Sequence, residues 1–231
     1  ARSRVREQCG FPLRERDYGH SAIVATIRTG AGHGHTARQW FMPRGPLAFL
    51  PLTDGQRSER YCSIVWSQDH DVARELMDLD DEAFRGALGR ASEGALGPVE
   101  WVGRRYSFPL YRRHAPEYVR PGVVLMGDAA HSIHPLAGQG VNLGFADAAT
   151  LVEEIVRGVL RNLPVGHVST LERYQRRRKP DNLAMMAGME GFKRLFASDI
   201  SLLRVLRNRG LSGVDRLLPV KKQIIRLAMD L

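Results

Sequence analysis

The stretch VVLMGDAAHSIHPLAGQGVNLGFADAATLVEEI, Val123 to Ile155, decides how the rest of the sequence is read. Four apolar residues lead into Gly127-Asp128, a glycine-rich turn follows, and a helical pattern closes the stretch. The run Val123 to Met126 predicts a parallel strand covered on both faces. Asp128 then stands at the carboxyl end of that strand, where open α/β sheets bind ligands. In the predicted helix, Leu151, Val152, Ile155, Val156, Val159 and Leu160 form one apolar stripe, and Glu153, Glu154 and Arg157 lie off it.

The residue types in the turn narrow the ligand. An ionised Asp128 only accepts hydrogen bonds, which suits the hydroxyls of a sugar or sugar alcohol. Gly138 and Gly140 allow backbone N–H groups to approach a flat ligand without a Cβ in the way. A helix starting near Gly140 turns its positive end toward that ligand and favours negative charge there. Asn142, in the first turn, both donates and accepts, as a heterocyclic edge requires. Sugar-alcohol hydroxyls and an anion on a planar ring together describe a reduced flavin.

Working outward, residues before 68 read mostly as strands. SAIVATI (Ser21–Ile27), ARQWFM (Ala37–Met42), LAFLPL (Leu47–Leu52) and YCSIVW (Tyr61–Trp66) are apolar segments separated by turn residues, as in an antiparallel sheet. DHDVARELMDLDDEAFRGALGRA is a helical interruption, and EWVGRRYSFPLY a further strand. Beyond Pro164, Ser169 or Thr170 is positioned to cap a helix through LERYQRRRK, and AMMAGMEGFKRLF continues the helical pattern. GAGHGH (Gly30–His35) imitates a dinucleotide fingerprint, but no helix follows it, so it reads as a mobile hairpin tip. His33 and His35 have no nearby Cys or carboxylate to complete a metal site.

Bulk properties set outer limits. The chain has 231 residues, 43% hydrophobic and 26% charged, and no run as long as a membrane span. Two cysteines, Cys9 and Cys62, form neither a disulfide framework nor a metal set, which points to a reducing cytoplasm. The net charge of +9 is concentrated at the C-terminus, where residues 163–231 hold 14 Lys+Arg against 6 Asp+Glu. Such a region meets an anionic lipid or acidic partner, or is a solvated helical surface; no interleaved aromatics mark it for nucleic acid.

GDAAHSIHPLAGQGVNLGFADA resembles the second flavin-binding motif of the FAD-dependent aromatic hydroxylases of the p-hydroxybenzoate hydroxylase fold, in the wording of the ubiquinone-biosynthesis hydroxylases. RQWFMPRGPLAFLPL (Arg38–Leu52), FPL (Phe108–Leu110) and RNRGL (Arg207–Leu211) also resemble that subfamily, and SRVR (Ser3–Arg6) resembles the end of the family's Asp-Gly motif. The resemblance implies an α+β and α/β chain in three parts. Residues 1–118 form an antiparallel substrate-pocket domain, 119–162 a strand-turn-helix segment of a Rossmann-like FAD domain, and 163–231 a basic helical region.

It also implies roles. Gly127 and Asp128 bind the ribityl or ribose hydroxyls, Gly138, Gln139, Gly140, Val141 and Asn142 face the pyrimidine edge, Pro135 lies beside the ring, and Arg6 belongs to the cofactor site. Phe41, Pro46 and Leu50 line the substrate pocket, while His131 and His134 serve in turn hydrogen bonding. Family chemistry uses NAD(P)H to reduce FAD, then O2 to place an OH on an electron-rich, prenylated phenol. No acid or base is assigned, because the cofactor carries the chemistry. A Ser-His hydrolase is disfavoured for want of a G-x-S-x-G elbow. Peripheral placement at the inner membrane face and a homo-oligomer are further expectations. Family members open with a G-x-G-x-x-G turn, whereas this sequence begins at ARSRVRE, so it reads as the C-terminal part of a longer enzyme, inactive by itself. Another aromatic substrate, or a non-enzymatic binding module, are the alternatives.

Overall fold

The computed structural model describes residues 3–53, 59–133 and 140–197, with 219 and 222 singly. It divides into two compact units. Among the described residues, one comprises 17–110 with 196–197 and the other 3–16 and 111–195. The units part within the long strands β1 (Arg14–Thr29) and β6 (Tyr106–His114).

The unit of residues 17–110 is an antiparallel sheet backed by helices. Its strands are β1 (Arg14–Thr29, which starts in the other unit), β2 (Arg38–Met42), β3 (Gly45–Leu52), β4 (Tyr61–Asp69) and β5 (Val99–Val102), in the spatial order β2-β3-β4-β1 with β5 also on β1. Alternation sets the two faces. Ile23, Ala25, Ile27, Leu47, Phe49, Ile64 and Trp66 point to one side and are buried. There they pack on Ala73 of α2 (His70–Asp78) and Phe84 and Leu88 of α3 (Asp81–Ala91). The single helix expected here is two, because Leu79 is extended and Asp80 caps α3 by accepting the Ala83 N–H at 2.7 Å. The expected strand from Glu100 to Tyr111 is likewise two, β5 and β6 (Tyr106–His114).

His33 is no mobile tip. It is fully buried, its Nε2 lies 3.2 Å from the Leu52 carbonyl, and its Nδ1 accepts the His35 N–H at 3.0 Å. The loop folds back on a histidine that serves as its own core.

The other unit holds α1 (Arg4–Gln8), β7 (Val119–Arg120), β8 (Val123–Val124), β9 (His131–Ser132), α4 (Gly140–Val159) and α5 (Val168–Ala197). β6 pairs antiparallel with β9. Phe11, Ala115, Tyr118, Leu125, Ala130 and Tyr174 form its core. The expected parallel strand at Val123 to Met126 is not formed. Gly122 turns the chain with φ +73°, and Val123 and Val124 pair back antiparallel onto Arg120 and Val119. Only two residues form strand there, Leu125 is buried, and Met126 is 40% exposed.

Helix α4 buries a face rotated from the predicted stripe, although Leu151 still packs against the core and Glu153 and Arg157 are exposed as expected. Its buried residues are Leu143, Asp147, Thr150, Glu154 and Gly158, whereas Val152, Val156 and Val159 are about half exposed or more. Two features of α5 draw the polar face inward. Glu154 meets Arg173 at 3.1 Å, Arg177 at 2.8 Å and Arg157 at 3.0 Å. Gly158 admits Thr170, whose Oγ1 would lie 2.7 Å from a Cβ added at that position. α5 begins at Val168, one or two residues ahead of the expected cap, and runs through Pro180.

Candidate functional site

The Gly-Asp pair lies in a 3-10 turn, Gly127–Ala129, directly after β8 and Leu125-Met126. Gly127 adopts φ +53°, which side-chain-bearing residues reach only with strain. A Cβ there would stand 3.5 Å from the Cα of Gly144, so turn and helix backbones approach with glycine on both sides.

Three tethers fix this turn. The Gly127 N–H donates to Oδ2 of Asp147 on α4 at 2.9 Å. Arg6, 4% exposed, donates from Nη1 to the Ala129 carbonyl at 3.1 Å. Tyr174 of α5 donates its hydroxyl to the Leu125 carbonyl at 3.0 Å, holding the approach to the turn. Arg6 is itself placed by α1, whose N-cap Ser3 accepts the Arg6 N–H at 3.2 Å. In this structure Arg6 is a support of the turn.

Asp147 is the centre of a fully buried polar cluster. His131 Nε2 lies 2.7 Å from Oδ2, Arg178 Nε donates to Oδ1 at 2.9 Å, and Asn182 Nδ2 donates to Oδ1 at 3.1 Å. Burial alone would raise the Asp147 pKa, but His131, Arg178, the Gly127 amide and Asn182 outweigh it and hold the carboxyl down at about 2. Neither Asp147 nor Arg178 figures among the residues expected from sequence. The available signal was GFADA, with Asp147 one helical period beyond Gly144 on the face toward Gly127. His131 does serve the hydrogen bonding of this loop.

The cluster leaves Asp128 outward. Its carboxylate is exposed and has no hydrogen-bond or ion-pair partner among the described residues. Among the described residues, nothing lies within 4 Å of a Cβ built on Gly140, the first residue of α4. Val141 is 65% exposed and Asn142 is exposed beside it. A free acceptor on a rigid turn next to a helix N-terminus fits a ligand with hydroxyl donors and an electron-rich edge. FAD has both. Pro135, Gly138 and Gln139, with His134, lie outside the described residues.

The residues-17-to-110 unit carries the other expected site residues. Phe41 pairs with Pro46 across β2 and β3, and Pro46, Ala48 and Leu50 alternate onto the same face, opposite the buried core. That face continues through Ser63 and Val65 of β4 and Val24 and Thr26 of β1. Phe41 and Leu50 are 43% and 40% exposed, so Phe41, Pro46 and Leu50 share an apolar open face.

This unit also contains a hydrolase-like relay. Ser21 Oγ lies 2.9 Å from His70 Nδ1, and His70 Nε2 lies 3.1 and 3.2 Å from the Asp17 carboxylate oxygens. Ser21 sits inside β1 and is 8% exposed, without the exposed elbow a nucleophile needs. Together with His20–Asp69 at 3.1 Å, the relay pins the start of α2 to β1.

Residues 1–188 match a family described as FAD binding domain. The ubiquinone hydroxylase UbiL of Rhodospirillum rubrum is 40% identical over 228 residues, covering 99% of this chain and 52% of that protein. The 3-demethoxyubiquinol 3-hydroxylase of Escherichia coli is 36% identical over 231 residues, covering 100% of this chain and 58% of that protein. The chain thus spans about half the length of the curated relatives it matches. Among solved structures, p-nitrophenol 4-monooxygenase PnpA from Pseudomonas putida superposes with a TM-score of 0.73 at 20% identity, covering 100% of this chain and 56% of that one. This last likeness establishes a shared fold.

Proposed function

We propose, from the premise that this chain belongs to the FAD binding domain family, that it serves an FAD-dependent monooxygenase acting on a prenylated phenol in ubiquinone biosynthesis. The observation that carries the reading is the unpartnered Asp128 carboxylate, held outward on a turn locked by Asp147, Arg6 and Tyr174. The names of the relatives supply the substrate class: both are hydroxylases of ubiquinone compounds.

Asp128 would accept from ribityl hydroxyls, and the first turn of α4, with Gly140, Val141 and Asn142, would face the pyrimidine edge. Pro135, Gly138 and Gln139 are proposed to complete that edge. When bound, FAD would supply the redox chemistry: two electrons from NAD(P)H and two protons would take one oxygen atom of O2 to water, while the other atom would replace a ring hydrogen of the phenol as OH. The protein residues bind and orient. The open sheet face with Phe41, Pro46 and Leu50 offers apolar contact for the prenylated ring. Residues 163–231, with their excess of 14 basic over 6 acidic residues, would hold the protein against the anionic cytoplasmic membrane face, where such a substrate dissolves. No described helix is long and apolar enough to cross a membrane.

Incubation of the whole protein that contains these residues with FAD, NAD(P)H, O2 and a panel of phenols tests the reading. Gain of one oxygen atom by prenylated phenols, by mass spectrometry, is expected. Turnover of only non-prenylated aromatics would move the assignment to another substrate, and FAD binding without NAD(P)H oxidation would leave a binding module.

A further inference from the structure

Where β1 leaves and β6 enters the unit of residues 1–16 and 111–195, their side chains form a cleft of about 190 Å³. Arg14, Glu15, Arg16, Arg112 and His114 line it. Its one carboxylate is already engaged, since Glu15 is ion-paired with Arg113. Arg14, Arg16 and Arg112 make no ion pair or hydrogen bond with any described residue. Three guanidinium groups around one small cleft therefore have no balancing anion there. Such crowding of like charge is unfavourable unless an anion enters.

His114 reports the same imbalance. Its Nε2 is buried without a hydrogen-bond partner. Burial first, then the positive charges of Lys179, His131, Arg112 and Arg14, push its pKa down to about 4. Lys179 does not discharge the field, because it donates to the Pro116 carbonyl at 2.6 Å and meets no acid there. An entering oxyanion would satisfy the guanidinium groups and could accept from the imidazole N–H.

Size and geometry select the ligand. Whole small molecules occupy roughly 300 to 1,000 Å³, so this cleft takes a group and not an entire nucleotide or prenyl chain. Guanidinium forks match phosphate oxygens in pairs, and the resulting charge-assisted bonds are about twice as strong as neutral ones.

We propose that the Arg14–Arg16–Arg112–His114 cleft is a binding site for a phosphate or diphosphate group. None of its lining residues belongs to the Asp128 turn, and the proposal does not depend on the flavin reading. The group arrives either on a soluble phosphorylated compound or as the headgroup of an anionic lipid.

Calorimetric titration of the chain with pyrophosphate tests this, with folding of each variant checked by circular dichroism. Saturable binding near one per chain is expected, weakened about tenfold by Arg112→Gln and by Arg16→Gln. Arg176→Gln removes one charge outside the cleft, where Arg176 is paired with Glu172, and should leave binding unchanged. If Arg112→Gln does not fold, Arg14→Gln at an exposed position takes its place. As a second readout, pyrophosphate should raise the pH at which the His114 ring protons titrate in NMR. Absence of saturable binding, or equal weakening by Arg176→Gln, overturns the proposal. Vesicles of phosphatidic acid separate the sources. Release of vesicle-bound chain by pyrophosphate marks a lipid headgroup site, and pyrophosphate binding that leaves vesicle attachment untouched marks a soluble ligand.

Discussion

Gly127 donates its backbone N–H to Oδ2 of Asp147 at 2.9 Å, and that single bond joins the left-handed turn to the buried face of α4. The same carboxylate is shared with His131, Arg178 and Asn182. Replacing Asp147 with Ala removes the buried carboxylate from Arg178, which keeps only the exposed Asp181 as an acid partner, and leaves the Gly127 amide without its acceptor. A loss of about 3 to 5 kcal/mol is expected, the range for breaking a buried ion pair. Urea unfolding of wild type and Asp147→Ala measures it. A loss under about 1 kcal/mol would mean that water replaces the carboxylate at little cost.

Two groups set the acid limit. Asp147 has its folded pKa lowered from 3.8 to about 2, so its contribution is present above the unfolded value and is lost as pH falls from about 4 toward 2. It amounts to about 2 kcal/mol. His114 is lowered from 6.5 to about 4, so the unfolded chain binds its proton first, and stability falls as pH drops from about 6.5 to 4. Melting temperature should decline in two stages, and His114→Phe should flatten the upper one. A single stage below pH 4 in both proteins would remove His114 from the account.

Asp128 differs from Asp147 in being outside the packing. Asp128→Ala should leave thermal stability within about 0.5 kcal/mol, because the side chain is exposed and partnerless among the described residues. Loss of a charge-assisted acceptor should weaken FAD by about 1.5 to 3 kcal/mol. Fluorescence titration reads that directly. Unchanged FAD affinity would place the ribityl chain elsewhere.

What the sequence discloses depends on how local the deciding contacts are. Alternation along β1, β3 and β4 is local, so these strands were legible, and in their register Phe41, Pro46 and Leu50 fall on one face. Asp128 was legible for the same reason, since its signal is the adjoining glycine and turn. The inward face of α4 was not, because Asp147 and Glu154 are buried by Arg178, Arg173 and Arg177, all distant in sequence on α5. Hydrophobic periodicity cannot register a carboxylate whose burial is compensated by such partners. The run Val123–Met126 misled in the opposite direction, since Val123 and Val124 pair with Arg120 and Val119 in a short antiparallel ribbon and only Leu125 is fully buried, in the core with Tyr118 and Tyr174.

The basic region makes an ionic-strength prediction. Each Lys or Arg near an anionic surface contributes about 1 kcal/mol, screened within a Debye length of about 8 Å at physiological salt. Flotation should show the chain on anionic liposomes at low salt, released at high salt, and absent from neutral liposomes. Attachment indifferent to both salt and lipid charge would make residues 163–231 a solvated surface and not a membrane anchor.

The rotated buried face of α4 can be tested by substitutions that a conventional amphipathic helix would rank the other way. Val152 and Val156 are 60% and 51% exposed, so Val152→Ala and Val156→Ala each remove little buried area. Each should change stability by no more than about 0.5 kcal/mol. Glu154 is 1% exposed and anchors Arg157, Arg173 and Arg177. Those arginines are partly exposed, so solvent screens part of the loss, and Glu154→Ala should cost on the order of 1 to 3 kcal/mol. Gly158→Val adds a Cβ that would meet Thr170 Oγ1 at 2.7 Å and should cost a comparable amount, about 1 to 3 kcal/mol, by forcing α4 and α5 apart. The order Glu154 and Gly158 above Val152 and Val156, measured by urea unfolding, is the expected outcome. The reverse order would mean that the valine stripe is the buried face after all, and that Asp147, one or two turns before Glu154 on the same side, does not hold Gly127.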